Sequence, residues 1–108
     1  HARAPELDTL GRIIDFGVLK AKLGRWIDTN WDHGFLFHHS DVATHQALEY
    51  MGPGQKTYVL PYNPTAENMA KYLLHRVAPE QMVGTGVQVY KVVLWETENC
   101  FATATLDD

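Results

Sequence analysis

The sequence contains a single cysteine, Cys100, no apolar run of more than a few residues and no excess of basic side chains, its formal net charge being −4. One cysteine cannot close a disulfide within the chain, so nothing ties the protein to an oxidising compartment and a cytoplasmic location is expected. The strongest apolar run, Val92-Val93-Leu94-Trp95, is far short of the roughly 20 residues a membrane helix needs. No span and no signal peptide is read, and no membrane partner is expected. A chain without a basic stripe lacks the electrostatic footprint of phosphate-backbone binding, which argues against a nucleic-acid partner. The chain also lacks an initiator methionine and opens His1-Ala2-Arg3, so an upstream part of the natural protein is expected to be missing. What is present suits one domain over residues 1–108: 45% hydrophobic and 20% charged residues, enough to bury a core without extra staples.

Along the chain, residues 1–16 read as two short strands, with turn chemistry at Leu7 to Gly11 before the β-branched pair Ile13-Ile14. From Asp15, a plausible N-cap, the period changes: Phe16, Leu19, Leu23, Trp26 and Ile27 share a helical face. Gly24 lies inside this helix, where glycine costs about 1 kcal/mol relative to alanine, and a close packing contact is expected there. Residues 29–54 are polar and histidine-bearing, with one short helix from Val42 to Tyr50 before the breaker Gly52-Pro53-Gly54. A strand over 56–62 follows. Asn63 then offers a cap with Pro64 at the first helical position, and Ala66, Met69, Ala70, Leu73, Leu74 and Val77 recur at helical spacing until Pro79 ends the helix. Residues 87–96 and 100–106 read as a final hairpin about Thr97-Glu98-Asn99. Hairpins at both ends and two amphipathic helices needing a sheet to cover give an α+β architecture.

Few residues carry chemistry. Asp32-His33 is the first candidate, because an acid beside a histidine positions a proton-transfer group that titrates near neutral pH; on spacing alone a surface loop with a capping aspartate and an exposed histidine is the better reading. His38, His39 and His45 extend a histidine-rich stretch, but no His-Glu-x-x-His or Cys-x-x-Cys is present, and loop histidines are the better reading than a metal site. Glu96, at the end of the most hydrophobic strand, must be solvated, paired or used. Thr65 and Glu67 stand at a helix start, where capping and the helix dipole account for them. Cys100 reads as a small hydrophobe of the last strand.

Four segments in register, Gly11 to Lys20, Trp31 to Leu36, Asn63 to Ala70 and Trp95 to Asn99, resemble the 6-pyruvoyl-tetrahydropterin synthase family, which includes the bacterial 6-carboxy-tetrahydropterin synthases. The resemblance runs from about Glu6 to Ala104. It implies the tunnelling fold, a ββααββ unit with two helices on one face of antiparallel sheets that join into barrels, assembled as a homohexamer. It also implies Asp32 and His33 as the catalytic acid–histidine pair, Glu96 as the anchor of the pterin's amino-pyrimidine edge, and Thr65 and Glu67 as substrate contacts. The family binds zinc through three histidines, one on the first strand and two in a following His-Gly-His segment, with a catalytic cysteine nearby. None of these motifs stands in this chain. Either an upstream strand is missing, the reading that the absent initiator methionine favours, or the chain is a zinc-free homologue that keeps the pterin pocket; zinc is expected for the full-length family member only, and no metal ligand is assigned here.

What the resemblance implies for function is a pterin-forming lyase acting on 7,8-dihydroneopterin triphosphate, first as 6-carboxy-tetrahydropterin synthase of queuosine biosynthesis. The alternatives are 6-pyruvoyl-tetrahydropterin synthase and a non-catalytic pterin- or purine-binding module of the same fold.

Overall fold

The strongest helical period in the sequence produces the central element of the fold, a long helical run laid against a two-stranded sheet. The computed structural model describes residues 1–5 and 16–106. The expected cap at Asp15 and most of the expected N-terminal hairpin fall outside the described residues. Strand β1 (Ala2–Arg3) is followed by α1 (Phe16–Asn30), β2 (Phe35–His38), α2 (Val42–Met51), β3 (Thr57–Leu60), α3 (Ala66–Tyr72), a π-helical turn (Leu73–Val77), α4 (Ala78–Gln81), β4 (Gln88–Val89), β5 (Lys91–Trp95) and β6 (Phe101–Thr105). The class is α+β, as the element order predicts.

Helix α3 starts two residues later than expected. Thr65, not Asn63, is its N-cap, in extended conformation with its side chain accepting from the Asn68 N–H at 3.2 Å. Pro64 thus precedes the cap. Nor does Pro79 end the run. A proline inside a helix removes one hydrogen bond and crowds the preceding turn. The chain widens that turn instead, the Ala78 N–H reaching back five residues to the Leu73 carbonyl. The extra residue lets adjacent positions both face inward. Leu73 and Val77 join a core of Trp31, Leu60 and Tyr72, whereas Leu74 and Ala78 join a core of Ala70, Met82, Val87, Val89 and Ala104.

Strands β5 and β6 pair antiparallel, with Val92 opposite Ala104 and Leu94 opposite Ala102 on the face turned to α3. Alanines on the sheet and Ala70 on the helix allow close approach. The opposite face presents Trp95 and Phe101, ring centroids 4.7 Å apart and both more than half exposed. The single strand expected over 87–96 is two strands. Tyr90 changes partners, its N–H donating to the His1 carbonyl and its carbonyl accepting from Leu106, each at 3.0 Å. So β4 pairs with β1, and β5 with β6.

The stretch read as loop before α2 holds a strand. β2 pairs in parallel with β3, Phe35 opposite Thr57 through His38 opposite Leu60, and a parallel pair needs a crossover, which α2 supplies. The side chain of Asp41 caps α2, accepting from the Thr44 N–H at 3.0 Å and hydroxyl at 2.6 Å, and these bonds hold its carboxyl below the usual range. Among the described residues a Cβ at Gly24 would meet only Lys20 Cγ, at an ordinary 3.8 Å, so they supply no close contact of the kind expected there. Among the described residues no helix is long and apolar enough to cross a membrane.

Candidate active site

The end of α1 builds the first part of the site. The Ile27 carbonyl accepts from both Trp31 and Asp32 N–H groups, at 2.8 and 2.9 Å, and the Asn30 side-chain amide donates to the Trp26 carbonyl at 2.9 Å, so the helix end is tied down at these two carbonyls. A tight turn follows, closed by the Gly34 N–H donating to the Trp31 carbonyl at 3.0 Å. Its third residue, His33, has φ +56°, the left-handed region, and is the one non-glycine residue at positive φ among those described. Such a conformation costs about 1–3 kcal/mol and persists only where the surroundings fix it.

The turn divides its side chains. Trp31 points inward, 6% exposed, in edge contact with Trp26 (5.3 Å) and Tyr58 (6.1 Å) and tilted against Tyr72 (6.0 Å). Asp32 and His33 point out, 56% and 93% exposed, with Asp32 Oδ2 3.8 Å from His33 Nε2. That separation is an ion-pair distance once the imidazole is protonated, and a small rotation of either side chain makes it a hydrogen bond. The aromatic base under the pair was not visible in the sequence reading, which placed Trp26 on a helical face without its partners. Tyr58 and Tyr72 complete it, their hydroxyls 2.6 Å apart. Burial, then the hydrogen bond to Tyr72, pushes the Tyr58 hydroxyl far above its ordinary pKa.

Glu96 begins the β5–β6 turn. Its N–H donates to the Cys100 carbonyl at 2.8 Å, and the Thr97 hydroxyl accepts from the Asn99 and Cys100 N–H groups at 3.3 and 3.1 Å. Its side chain is exposed. Cys100 belongs to this turn and is exposed, not a buried residue of the last strand, because the Thr97 hydroxyl extends the turn to it. Thr65 and Glu67 lie at the start of α3, both exposed. Thr65 Oγ1, although engaged by Asn68, keeps a hydroxyl hydrogen to donate. Asp32 and His33 are thus brought together, while Glu96 and the Thr65–Glu67 pair stand on two further loops. No hydrogen bond or ion pair among the described residues joins the three.

The described residues do not fit a zinc ion. His38 Nδ1 accepts from the Ser40 N–H at 2.9 Å, His39 Nε2 lies 3.3 Å from Ser40 Oγ, and His45 Nε2 donates to the His39 carbonyl at 3.1 Å. Each ring is tied to His39 or Ser40. Among the described residues no group of three or more histidine, cysteine, aspartate or glutamate side chains converges as a metal site would require.

The chain matches the family described as 6-pyruvoyl tetrahydropterin synthase over residues 1–107. It is 42% identical over 98 residues to the 6-carboxy-5,6,7,8-tetrahydropterin synthase of Rickettsia felis, covering 91% of this chain and 70% of that protein. The protein of the same name from Rickettsia conorii is 41% identical over the same shares. That of Haemophilus influenzae is 26% identical over 82% of this chain and 61% of its own length. A family match over residues 1–107, with 42% identity over 91% of the chain to one member, places the chain in the 6-pyruvoyl tetrahydropterin synthase family, whose tunnelling fold is the α+β architecture it adopts.

Proposed function

We propose that the protein is a pterin-forming lyase acting on 7,8-dihydroneopterin triphosphate as a 6-carboxy-tetrahydropterin synthase, a reading supported by the shared name of the curated relatives it matches. For the chemistry, the observation that carries it is the Asp32–His33 pair, projected into solvent from a turn held in a strained conformation. An imidazole changes charge between about pH 5 and 8, so it can take a proton from the substrate and return it. The Asp32 carboxylate orients the ring and stabilises its protonated form. Glu96 accepts from the pterin's ring N–H and exocyclic amine in a two-bond, charge-assisted grip. Thr65 and Glu67 contact the substrate from the start of α3. The zinc of the family is assigned to no described residue, and no step of this scheme runs through it.

Queuosine biosynthesis, a cytoplasmic location and a homohexamer belong to the same reading. Among the described residues, three two-stranded sheets support the assembly, since each leaves strand edges there that pairing with neighbouring copies would close. Turnover of 7,8-dihydroneopterin triphosphate, with products identified by mass spectrometry, is the test. His33→Ala should lower kcat by about 100- to 10,000-fold, the range for a proton-transfer group, while pterin affinity is kept. Formation of the 6-pyruvoyl product would reassign the enzyme within the family. Pterin binding by the wild type without any turnover would make the protein a binding module.

A further inference from the structure

We infer that Lys56 is a positioning residue for the Asp32–His33 pair: its ammonium ties the end of α1 to the backbone of Asp32 and so fixes the turn that presents His33. The inference rests on the reading of that pair as the proton-transfer group. Helix α1 has no basic residue in its last turn, although its terminal carbonyls carry partial negative charge that a cation would stabilise. Lys56 supplies the cation from the entry to β3. Its Nζ donates to the Asp28 carbonyl at 2.8 Å and to the Asp32 carbonyl. Its own carbonyl accepts from the Phe35 N–H at 2.8 Å. One residue therefore grips both ends of the segment that contains His33, the helix side through its side chain and the strand side through its backbone.

The stem of the lysine completes the clamp. A Cβ at Gly34 would lie 3.3 Å from both Lys56 Cγ and the Trp31 carbonyl, so the side chain is laid against the turn with no room to spare. Trp31 anchors the same turn from the core. Between the two anchors, His33 is held at φ +56°, and a strained residue keeps its conformation only where its neighbours over-determine it. The hydrogen bonds of Lys56 go to carbonyl oxygens. The Asp32 carboxylate is left to His33, 3.8 Å away. Lys56 thus acts on the geometry of the pair without competing for its charge.

The test uses Lys56→Met, which keeps the stem and removes the donor, and Lys56→Arg, which restores a cationic donor. Lys56→Met should lower kcat for 7,8-dihydroneopterin triphosphate by about 100-fold, the scale of a reacting group misplaced by about 1 Å. KM should change little, and the backbone resonances of His33 and Gly34 should move from their wild-type positions. Lys56→Arg should recover most of kcat and return those resonances. Wild-type kcat in Lys56→Met, with His33→Ala inactive, overturns the inference and leaves the catalytic reading standing. If Lys56→Met does not fold, Lys56→Arg decides: a variant with the wild-type melting temperature but no recovery of kcat also overturns it. Full activity in His33→Ala is a different failure, that of the catalytic reading itself, and the inference falls with it.

Discussion

The two reversals that carry the candidate site are built by opposite means. The turn after α1 is assembled from distant parts. Trp31 is seated among aromatic rings from α1, β3 and α3, Lys56 reaches it from the far end of the crossover, and a histidine is held at positive φ. The β5–β6 turn is local. Its hydrogen bonds run among residues 96 to 100, one threonine hydroxyl organises it, and it contains no residue at positive φ. The difference matches what each turn is asked to do. Proton transfer depends on the placement of a ring to within fractions of an ångström, and only a turn fixed from several sides supplies that. A carboxylate that grips a ligand edge by two hydrogen bonds needs only a strand end to present it, and the ligand completes the geometry.

The largest expected effect separates binding from folding at the second turn. Glu96→Gln replaces one acceptor oxygen with a donor and removes the charge, so it should weaken pterin binding by about 2–4 kcal/mol, as for a broken charged pair in an interface. Because that carboxylate is exposed and the turn is held by backbone and Thr97 bonds, unfolding free energy should stay within about 0.5 kcal/mol of wild type. Titration calorimetry with a pterin, alongside denaturant unfolding, measures both. Unchanged affinity would sink the assignment of Glu96 as the pterin anchor.

The next effect is on folding, and it belongs to the first turn. Gly34→Ala inserts a methyl group where 3.3 Å separates the new atom from Lys56 Cγ and from the Trp31 carbonyl, and it should cost about 1–3 kcal/mol, the range for overpacking. Glu98→Ala, an exposed position in the middle of the second turn, should cost no more than about 0.5 kcal/mol. Equal losses for the two would mean that the turns are equally constrained, and the contrast between them would be lost.

How much of this was legible in the sequence follows the same division between local and distant causes. The helix at Ala66 was readable because its apolar positions recur with a fixed period, and the last hairpin because turn chemistry at Thr97 to Asn99 separates two strand-like runs. The continuation past Pro79 was not, since a proline reads as a stop unless the wider turn before it is known. Strand β2 was hidden by its histidine-rich surroundings, its partner lying beyond a whole crossover helix. In the site, the adjacency of Asp32 and His33 is covalent and so visible at once. The seating of Trp31 on Tyr72, the Tyr58–Tyr72 hydroxyl pair and the grip of Lys56 on Asp28 arise from contacts between residues 14 to 41 positions apart in sequence, and no local pattern announces them.

The smallest effect concerns the aromatic base beneath the first turn and appears only at high pH. Burial raises the pKa of the Tyr58 hydroxyl above its ordinary value of 10.0, and the hydrogen bond to Tyr72 adds to this; burial raises that of Tyr62 as well. A group whose pKa is higher in the folded state holds its proton there after the unfolded chain has lost it. Its contribution is therefore complete below pH 10 and declines as pH rises above that value toward the folded pKa. Stability should fall through the alkaline range, with loosening centred on Trp31 and the turn it anchors, while the β5–β6 turn, which has no tyrosine in it, gives no such signal. Tyr58→Phe should be less stable at pH 8 by about 1 kcal/mol, the net worth of one hydrogen bond, and should show a shallower loss between pH 9 and 11, the remainder coming from Tyr62. Melting temperatures of both proteins across that range, with tryptophan fluorescence in a Trp95→Phe background as the probe of Trp26 and Trp31, measure the slopes. An alkaline slope unchanged in Tyr58→Phe would mean that the buried hydroxyl pair does not set the limit.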